Sequence, residues 1–394
     1  MLDASNGIQG MAINKNSNHK RQHKEFLAQL RGRYMITNQG YIDNLNRELN
    51  EHPPFTKDDV YNEFEKYVVN KENLRRAIDC GIFHYDYIQY CTFMKDTLWE
   101  DGVGLIIEIC KNAFATDLDR SAAAMKIGYA QVSKGFASFT QYLMLHPQIH
   151  EITRFDLLAK EAFQMIGERT ENSLKPYILF LSEMCRIIQN KESISMKFGV
   201  ALDSLMSYNE IFSALYKRLL LDIPASQWRN ISDHNDYDIK NDFVEVEYGS
   251  SNRIRKAISR KDLLILLKTI DVLLYMHKTA FTLLFIDYGQ YKDVSMSAEN
   301  RNENTKQDNF ISQLVETSYA FNFELKNIDV ESSPVEIVVA SKDAEFSRET
   351  LAKYLTIVAA FLNKDYQALV YRKNKVEYKA IYLDKKLCIF KFKV

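Results

Sequence analysis

The stretch Trp228-Arg-Asn-Ile-Ser-Asp-His234 sets a fixed cation, an amide and an imidazole close together along the chain. These groups suit RNA cleavage without a metal. Attack by the neighbouring 2′-hydroxyl needs a proton acceptor and donor with a pKa near neutrality, which among unperturbed side chains only His supplies. It also needs a forked cation where negative charge builds on the phosphate, and Arg229 offers one. Asn230 is placed to orient the imidazole or to bond a phosphate oxygen. Five residues of helix turn Arg229 and His234 about 140° apart, so one copy converges poorly unless His234 sits at a frayed helix end. Two copies facing each other across a two-fold axis would pool both groups in one cleft.

The spacing alone is cheap, because a second copy exists at Arg47 to His52. There the Arg is followed by Glu48, and His52 abuts Pro53-Pro54, outside any helix. The competing reading of Arg229 is a surface base paired with Asp233 or Asp236, with His234 a satisfied helix-end residue. Other candidates are weaker. His146-Pro-Gln-Ile-His150 has a zinc-like spacing but lacks the Glu that a metalloprotease needs. Asp233, His234, Asp236, Asp238 and Asp242 lack the Gly and terminal Glu of a calcium loop and read as a solvated turn. Gly102-Val-Gly104 has neither the further glycines nor the Lys of a phosphate cradle. No metal or cofactor is therefore expected.

The elements that must position Arg229 and His234 follow from composition and period. The chain has 394 residues, with only 13 Gly and 6 Pro, which favours long helices over turn-rich β architecture. A formal net charge of −1 provides no global field for nucleic acid, so any RNA contact must come from a local patch. The five Cys, at 80, 91, 110, 185 and 388, form no Cys-x-x-Cys pair and read as buried thiols of a reducing cytosol. Residues 1–25 are polar, without the apolar core of a secretory signal, and are expected to form a flexible tail in a cytoplasmic protein. Leu263 to Phe285 has the length of a membrane span but carries Lys268, Asp271, His277 and Lys278, so it reads as a buried core helix and no membrane contact is expected.

In chain order, 26–191 reads as a helical N-terminal region. One helix starts at Thr56-Lys-Asp-Asp, and breaks are expected at Trp99-Glu-Asp-Gly and Leu145-His-Pro. Phe198, Leu202, Leu205, Met206, Ile211, Phe212, Leu215 and Leu219 predict one long helix from Glu192 to Leu221. Pro224 opens the short helix that carries Trp228, Arg229, Asn230 and His234. Asp242-Phe-Val-Glu-Val-Glu-Tyr, a turn at Gly249-Ser-Ser-Asn and Arg253 to Ile258 predict a hairpin with acids facing bases. Ser259 and Asp262 cap the long apolar helix after it. A polar linker follows at 288–309. The remainder, 310–394, reads as a small α+β module with strands at Val335–Ala340, Gln367–Tyr371, Val376–Leu383 and Lys386–Val394 and a helix from Ser347 to Phe361.

With Asn230 between Arg229 and His234, a short hairpin behind them and long apolar helices on both sides, residues 192–287 resemble the HEPN superfamily. That resemblance implies a four-helix core with a β-hairpin insertion and a metal-independent endoribonuclease. Its catalytic residues would be Arg229, Asn230 and His234, supported by Asp233 and Tyr237, and its site would form across a homodimer. Many proteins of this plan are toxins or antiphage effectors of abortive infection, so an inhibitor or sensor acting through the flanking regions is implied too. Some small members carry a modifiable Tyr two positions after the His. Tyr237 lies three after, which favours packing beside the motif. The alternatives are a HEPN-like binding or dimerisation module that does not cleave, and a helical scaffold.

Overall fold

The computed structural model describes residues 50–289 apart from 80, 144–148, 150–151 and 250–252, together with scattered residues at 42–47 and 314–321, Tyr354, Val358 and four strands between 323 and 393. The expected tail, nearly all of the linker, His146, His150 and the strand at Gln367–Tyr371 lie outside the described residues, as does most of the helix expected from Ser347. The protein is mainly α, as its composition implies. The helices are α1 (Lys57–Phe64), α2 (Lys71–Asp79), α3 (His84–Gln89), α4 (Leu98–Thr116), α5 (Leu118–Leu143), α6 (Phe155–Glu168), α7 (Lys175–Ile188), α8 (Phe198–Tyr208), α9 (Glu210–Tyr216), α10 (Ala225–His234) and α11 (Arg260–Tyr288). Two wide π turns interrupt them, Tyr90–Met94 after α3 and Arg169–Leu174 between α6 and α7.

Local chemistry sets the helix starts. Thr56 and Asp59 close a capping box at α1, and Ser259 with Asp262 closes another at α11, each side chain accepting a backbone N–H that the first turn leaves unpaired. Two expectations fail. The chain does not break at Trp99-Glu-Asp-Gly: Thr97 caps Trp99, and α4 runs straight through Gly102. That glycine serves packing, since a Cβ there would meet Met276 of α11 and lie 2.8 Å from Leu215 of α9. Nor is Glu192 to Leu221 one helix. Asn209 adopts extended backbone and caps Ile211 with its side chain, splitting α8 from α9, and Leu221 and Asp222 then turn through positive φ. The apolar stripe continues across the break, which is why periodicity did not reveal it.

Helix α11 is the axis of the fold. Among the described residues it is the one helix long and apolar enough to cross a membrane, but 72% of its most apolar window is buried inside the protein. Four of its buried or half-buried polar residues find inward partners. Asp271 pairs with Arg169 at 3.1 Å, Lys278 with Asp86 at 2.5 Å, Nε2 of His277 lies 3.0 Å from the Tyr216 hydroxyl, and the hydroxyls of Tyr275 and Tyr85 lie 3.2 Å apart. One continuous apolar core runs from the N-terminal helices through α11 to Phe323 and Leu325.

The predicted hairpin is a three-stranded antiparallel sheet, β1 (Tyr237–Ile239), β2 (Phe243–Tyr248) and β3 (Ile254–Ser259). Acids do face bases across it: Glu247 pairs with Arg253 at 2.9 Å and with Arg255 at 3.3 Å. The C-terminal strands β4 (Phe323–Asp329), β5 (Val335–Ser341), β6 (Glu377–Tyr382) and β7 (Leu387–Lys393) form an antiparallel sheet in the order β4-β5-β7-β6. Sequence reasoning missed β4. Its alternation slips at an irregularity between Leu325 and Asn327, so Phe323, Leu325 and Ile328 are all buried without a strict period of two. This sheet meets the N-terminal region where Asn46 donates to the Leu325 carbonyl at 2.8 Å, and just before β4 the ring of Tyr319 stacks on Phe55.

Burial drives the pKa of His277 down to about 3 and that of His84 down to about 4, so both are neutral in the native state. In the unfolded chain each takes up a proton near its ordinary value. Their contribution is therefore intact above about pH 6.5 and lost as the pH falls towards the native values, at roughly 1.4 kcal/mol per unit per histidine. Asp271, raised to about 6 by its burial, works in the opposite sense between about pH 6 and its ordinary value near 4. Urea denaturation of His277→Gln should consequently show a shallower loss of stability between pH 6.5 and 5 than wild type, by about 2 kcal/mol across the window. Identical slopes would remove His277 from the account.

Candidate functional site

Pro224, with extended backbone, opens α10, and Trp228 anchors it, fully buried with its indole N–H donated to the Leu220 carbonyl at 2.9 Å. This anchor turns Arg229 and Asn230 to half-buried positions beside α6. The helix stops where Asn235 takes the left-handed conformation, with the N–H groups of Asn235 and Asp236 both donated to the Ile231 carbonyl. His234 is thus the last residue of α10. Its side chain is exposed and makes no hydrogen bond or ion pair among the described residues.

Arg229 is engaged. Its Nε lies 3.0 Å from Glu171 Oε2 and 2.9 Å from Asp233 Oδ2, and Nη1 donates to Asn230 Oδ1 at 3.2 Å. Glu171, in turn, receives Lys175 at 2.5 Å. Three of the five expected site residues therefore touch directly, Arg229 with Asn230 and Asp233. His234 stands apart at the helix end, and Tyr237 lies on β1, where its ring stacks on Phe163 at 4.1 Å between centroids. Half-burial raises the Tyr237 hydroxyl's pKa. Asp236 makes a backbone contact in the helix cap and does not pair with Arg229, while Asp238 pairs with Lys240, so the acidic run is dispersed. At the duplicate spacing, Arg47 pairs with Glu51 and His52 Nδ1 lies 2.9 Å from the Pro53 carbonyl oxygen, far from this helix in the chain.

The sequence did not reveal Phe163 and Gly167 on α6 or Glu171 on the π turn that follows it. They form a seam in which α6 and the segment α10–β1 run antiparallel: Glu171 meets Arg229, Gly167 meets Ser232 and Asp233, Phe163 meets Tyr237, and Lys160 lies with Ile239 and Lys240. Gly167 allows the approach, because a Cβ there would sit 3.0 Å from that of Ser232. The π turn at Arg169–Leu174 is what aims Glu171 outward while Arg169 points into the core. Its widened backbone is accepted by α5 only because Gly135 leaves room, a Cβ at that position falling 2.8 Å from the Asn172 carbonyl oxygen. No single-segment signal could have found these residues, since they pair across about sixty positions of chain.

Because the Arg229 side chain is 31% exposed and Glu171 keeps Lys175, removing the guanidinium should disturb folding little. Arg229→Ala is expected to cost about 1 kcal/mol in urea denaturation; a loss above about 3 kcal/mol would mark the residue as a buried structural clamp instead. Comparison with protein-family models, with curated proteins and with solved structures finds no match to this chain.

Proposed function

We propose that the protein is a metal-independent endoribonuclease of HEPN type, with Arg229, Asn230 and His234 of two protomers assembled in one cleft and Asp233 and Tyr237 in support. The observation that carries the reading is the state of His234. Among the described residues the buried histidines are consumed by packing, His277 against Tyr216 and Tyr177 and His84 against Phe55 and Tyr319, whereas His234 is exposed and unengaged on the helix that carries the bonded Arg229–Asn230 pair. An imidazole in water at the end of a helix is available to exchange protons with a substrate. In the reaction, one imidazole takes the 2′-hydroxyl proton and Arg229 neutralises the charge on the phosphate. A second imidazole protonates the departing 5′-oxygen, leaving a cyclic phosphate and a 5′-hydroxyl. A cytoplasmic toxin or antiphage effector is the biological setting that fits such chemistry, with the N-terminal and C-terminal regions contacting a sensor or inhibitor.

One observation favours a second reading. Arg229 already has two carboxylate partners, as an arginine that simply fastens α10 to the π turn would. The protein would then be a non-catalytic binding or dimerisation module.

Incubation of total RNA with the purified protein in EDTA separates the two. The wild type should cleave, and His234→Ala and Arg229→Ala should each fall by at least about a hundredfold, the range for loss of a general acid–base or a charge-stabilising group. Mixing the two inactive variants should restore part of the activity if the site is composite. Equal RNA integrity with wild type and His234→Ala sinks the nuclease, and cleavage without restoration on mixing sinks the shared cleft.

A further inference from the structure

At its far end the α6 seam opens into a cleft of about 430 Å³ lined by Arg154, Phe155, Asp156, Lys160, Ile239, Lys240 and Asn241. We propose that this cleft is a phosphodiester subsite for single-stranded RNA, holding the strand a few nucleotides from the bond that Arg229 and His234 act on. The proposal rests on the nuclease reading for what lies at the other end of the seam, but the cleft's own chemistry stands separately.

Three cations converge on it from two elements, Arg154 and Lys160 at the start of α6 and Lys240 just after β1, in a chain whose net charge is −1. Lys160 is exposed and has no carboxylate partner among the described residues. The other two have only exposed partners: Arg154 binds Asp156 at 2.7 Å, with side chains 70% and 42% exposed, and Lys240 binds Asp238. Exposed pairs of this kind are worth about 0–1 kcal/mol, so a phosphate can take either cation at small cost. The two acids leave the group with an excess of positive charge. The backbone beneath is held in place, since Arg260 donates to the carbonyls of Ile152 and Thr153. Asn241 adds an amide, and the half-buried ring of Phe155 adds a face of the type on which bases stack.

Continuity with the candidate site sets the register. Along the seam Lys160 and Lys240 line the same cleft, Gly167 meets Asp233 beside His234, and Glu171 meets Arg229. At 1.5 Å per residue of α6, the cleft lies about 10 Å from the level of His234 and about 16 Å from that of Arg229. This is roughly three to five nucleotides at the 3.4 Å spacing of a helical strand. The open shape suits a polymer passing through, and no global field competes with the patch for phosphate.

The test is fluorescence anisotropy of a labelled 2′-O-methyl decauridylate, which binds but lacks the attacking hydroxyl, across a range of salt. Lys160→Glu combined with Lys240→Glu should weaken binding about tenfold or more and lower the slope of log affinity against log salt by roughly 1.4, two phosphates at about 0.7 each. Both side chains are exposed, and an unchanged thermal midpoint confirms that the variant is folded. Lys126→Glu, a charge change of the same sign on α5, should keep wild-type affinity. Wild-type affinity in the double variant overturns the subsite. So does complete displacement of the RNA by inorganic phosphate in modest excess, which would identify a site for small anions. RNA binding that depends on the cleft in a protein that fails to cleave in EDTA removes the nuclease reading and keeps the subsite; cleavage with unaltered binding in the double variant does the reverse.

Discussion

The ion pair between Arg169 and Asp271 is the constraint from which the placement of the candidate site follows. Both side chains are almost wholly buried, 3.1 Å apart. Burial pushes Asp271 up and Arg169 down from their ordinary values, each towards its neutral form, while their mutual attraction opposes it. Such a pair is weak evidence for net stability, because desolvation offsets much of the attraction, but losing one partner leaves a buried charge and costs about 3–5 kcal/mol. Its effect is on register. Arg169 Nη1 also reaches the Leu267 carbonyl, so the pair fixes how far α6 slides along α11. With Arg169 committed inward, the π turn it begins must carry Glu171 to the outside, two residues later, where α10 lies. Nε and Nη2 of Arg169 and Oγ of Ser173 are buried without a hydrogen-bond partner among the described residues.

What the sequence made legible was local. Thr56 with Asp59 and Ser259 with Asp262 announced their helices because capping is decided within four residues, and Pro224 marked the start of α10 for the same reason. The charges inside Leu263 to Phe285 marked a helix of the core, and Asp271, His277 and Lys278 each have an inward partner while Lys268 is exposed. The partners themselves were not legible. Tyr216, Asp86 and Arg169 are 61, 192 and 102 positions from theirs in the chain, and nothing near them in sequence distinguishes them from other polar residues. The same limit applied at the site. Asp233 was readable as a neighbour of Arg229 at i, i+4, and Glu171 was not. The failures at Gly102 and Asn209 share a cause as well. Gly reads as a breaker when its packing partner, Met276, is invisible, and an extended Asn is hidden when apolar spacing runs on through it.

The two faces of α10 divide anchoring from availability. Trp228 and Ile231 are buried, and Ser232 sits against Gly167 so closely that the helix cannot rotate without displacing α6. The stacked rings of Tyr237 and Phe163 hold the chain immediately after the helix, so the left-handed turn at Asn235 is pinned on both sides. His234 is therefore an exposed side chain on a fixed backbone. The proposed chemistry would draw on that combination, because positional precision comes from the supporting elements and not from the residue's own contacts.

The clasp on Arg229 is compatible with binding a phosphate only if the guanidinium can leave its carboxylates cheaply, and the surroundings meet that condition. Glu171 retains Lys175 when Arg229 departs, so that carboxylate is not orphaned. Asp233 is 37% exposed and can be rehydrated. Each half-exposed pair is worth on the order of 1 kcal/mol or less, whereas a guanidinium–phosphate contact in a site closed to water is charge-assisted and roughly twice as strong as a neutral hydrogen bond. Closure by a second copy would add to this difference, because excluding water strengthens the phosphate contact while Glu171 remains neutralised by Lys175. In the single chain the carboxylates prevail since water screens any competing anion; in the proposed covered cleft the balance would tilt to a phosphate. On the proposed reading, the same clasp that makes Arg229 look structural would keep the guanidinium aligned along α10 until an anion took the place of the carboxylates.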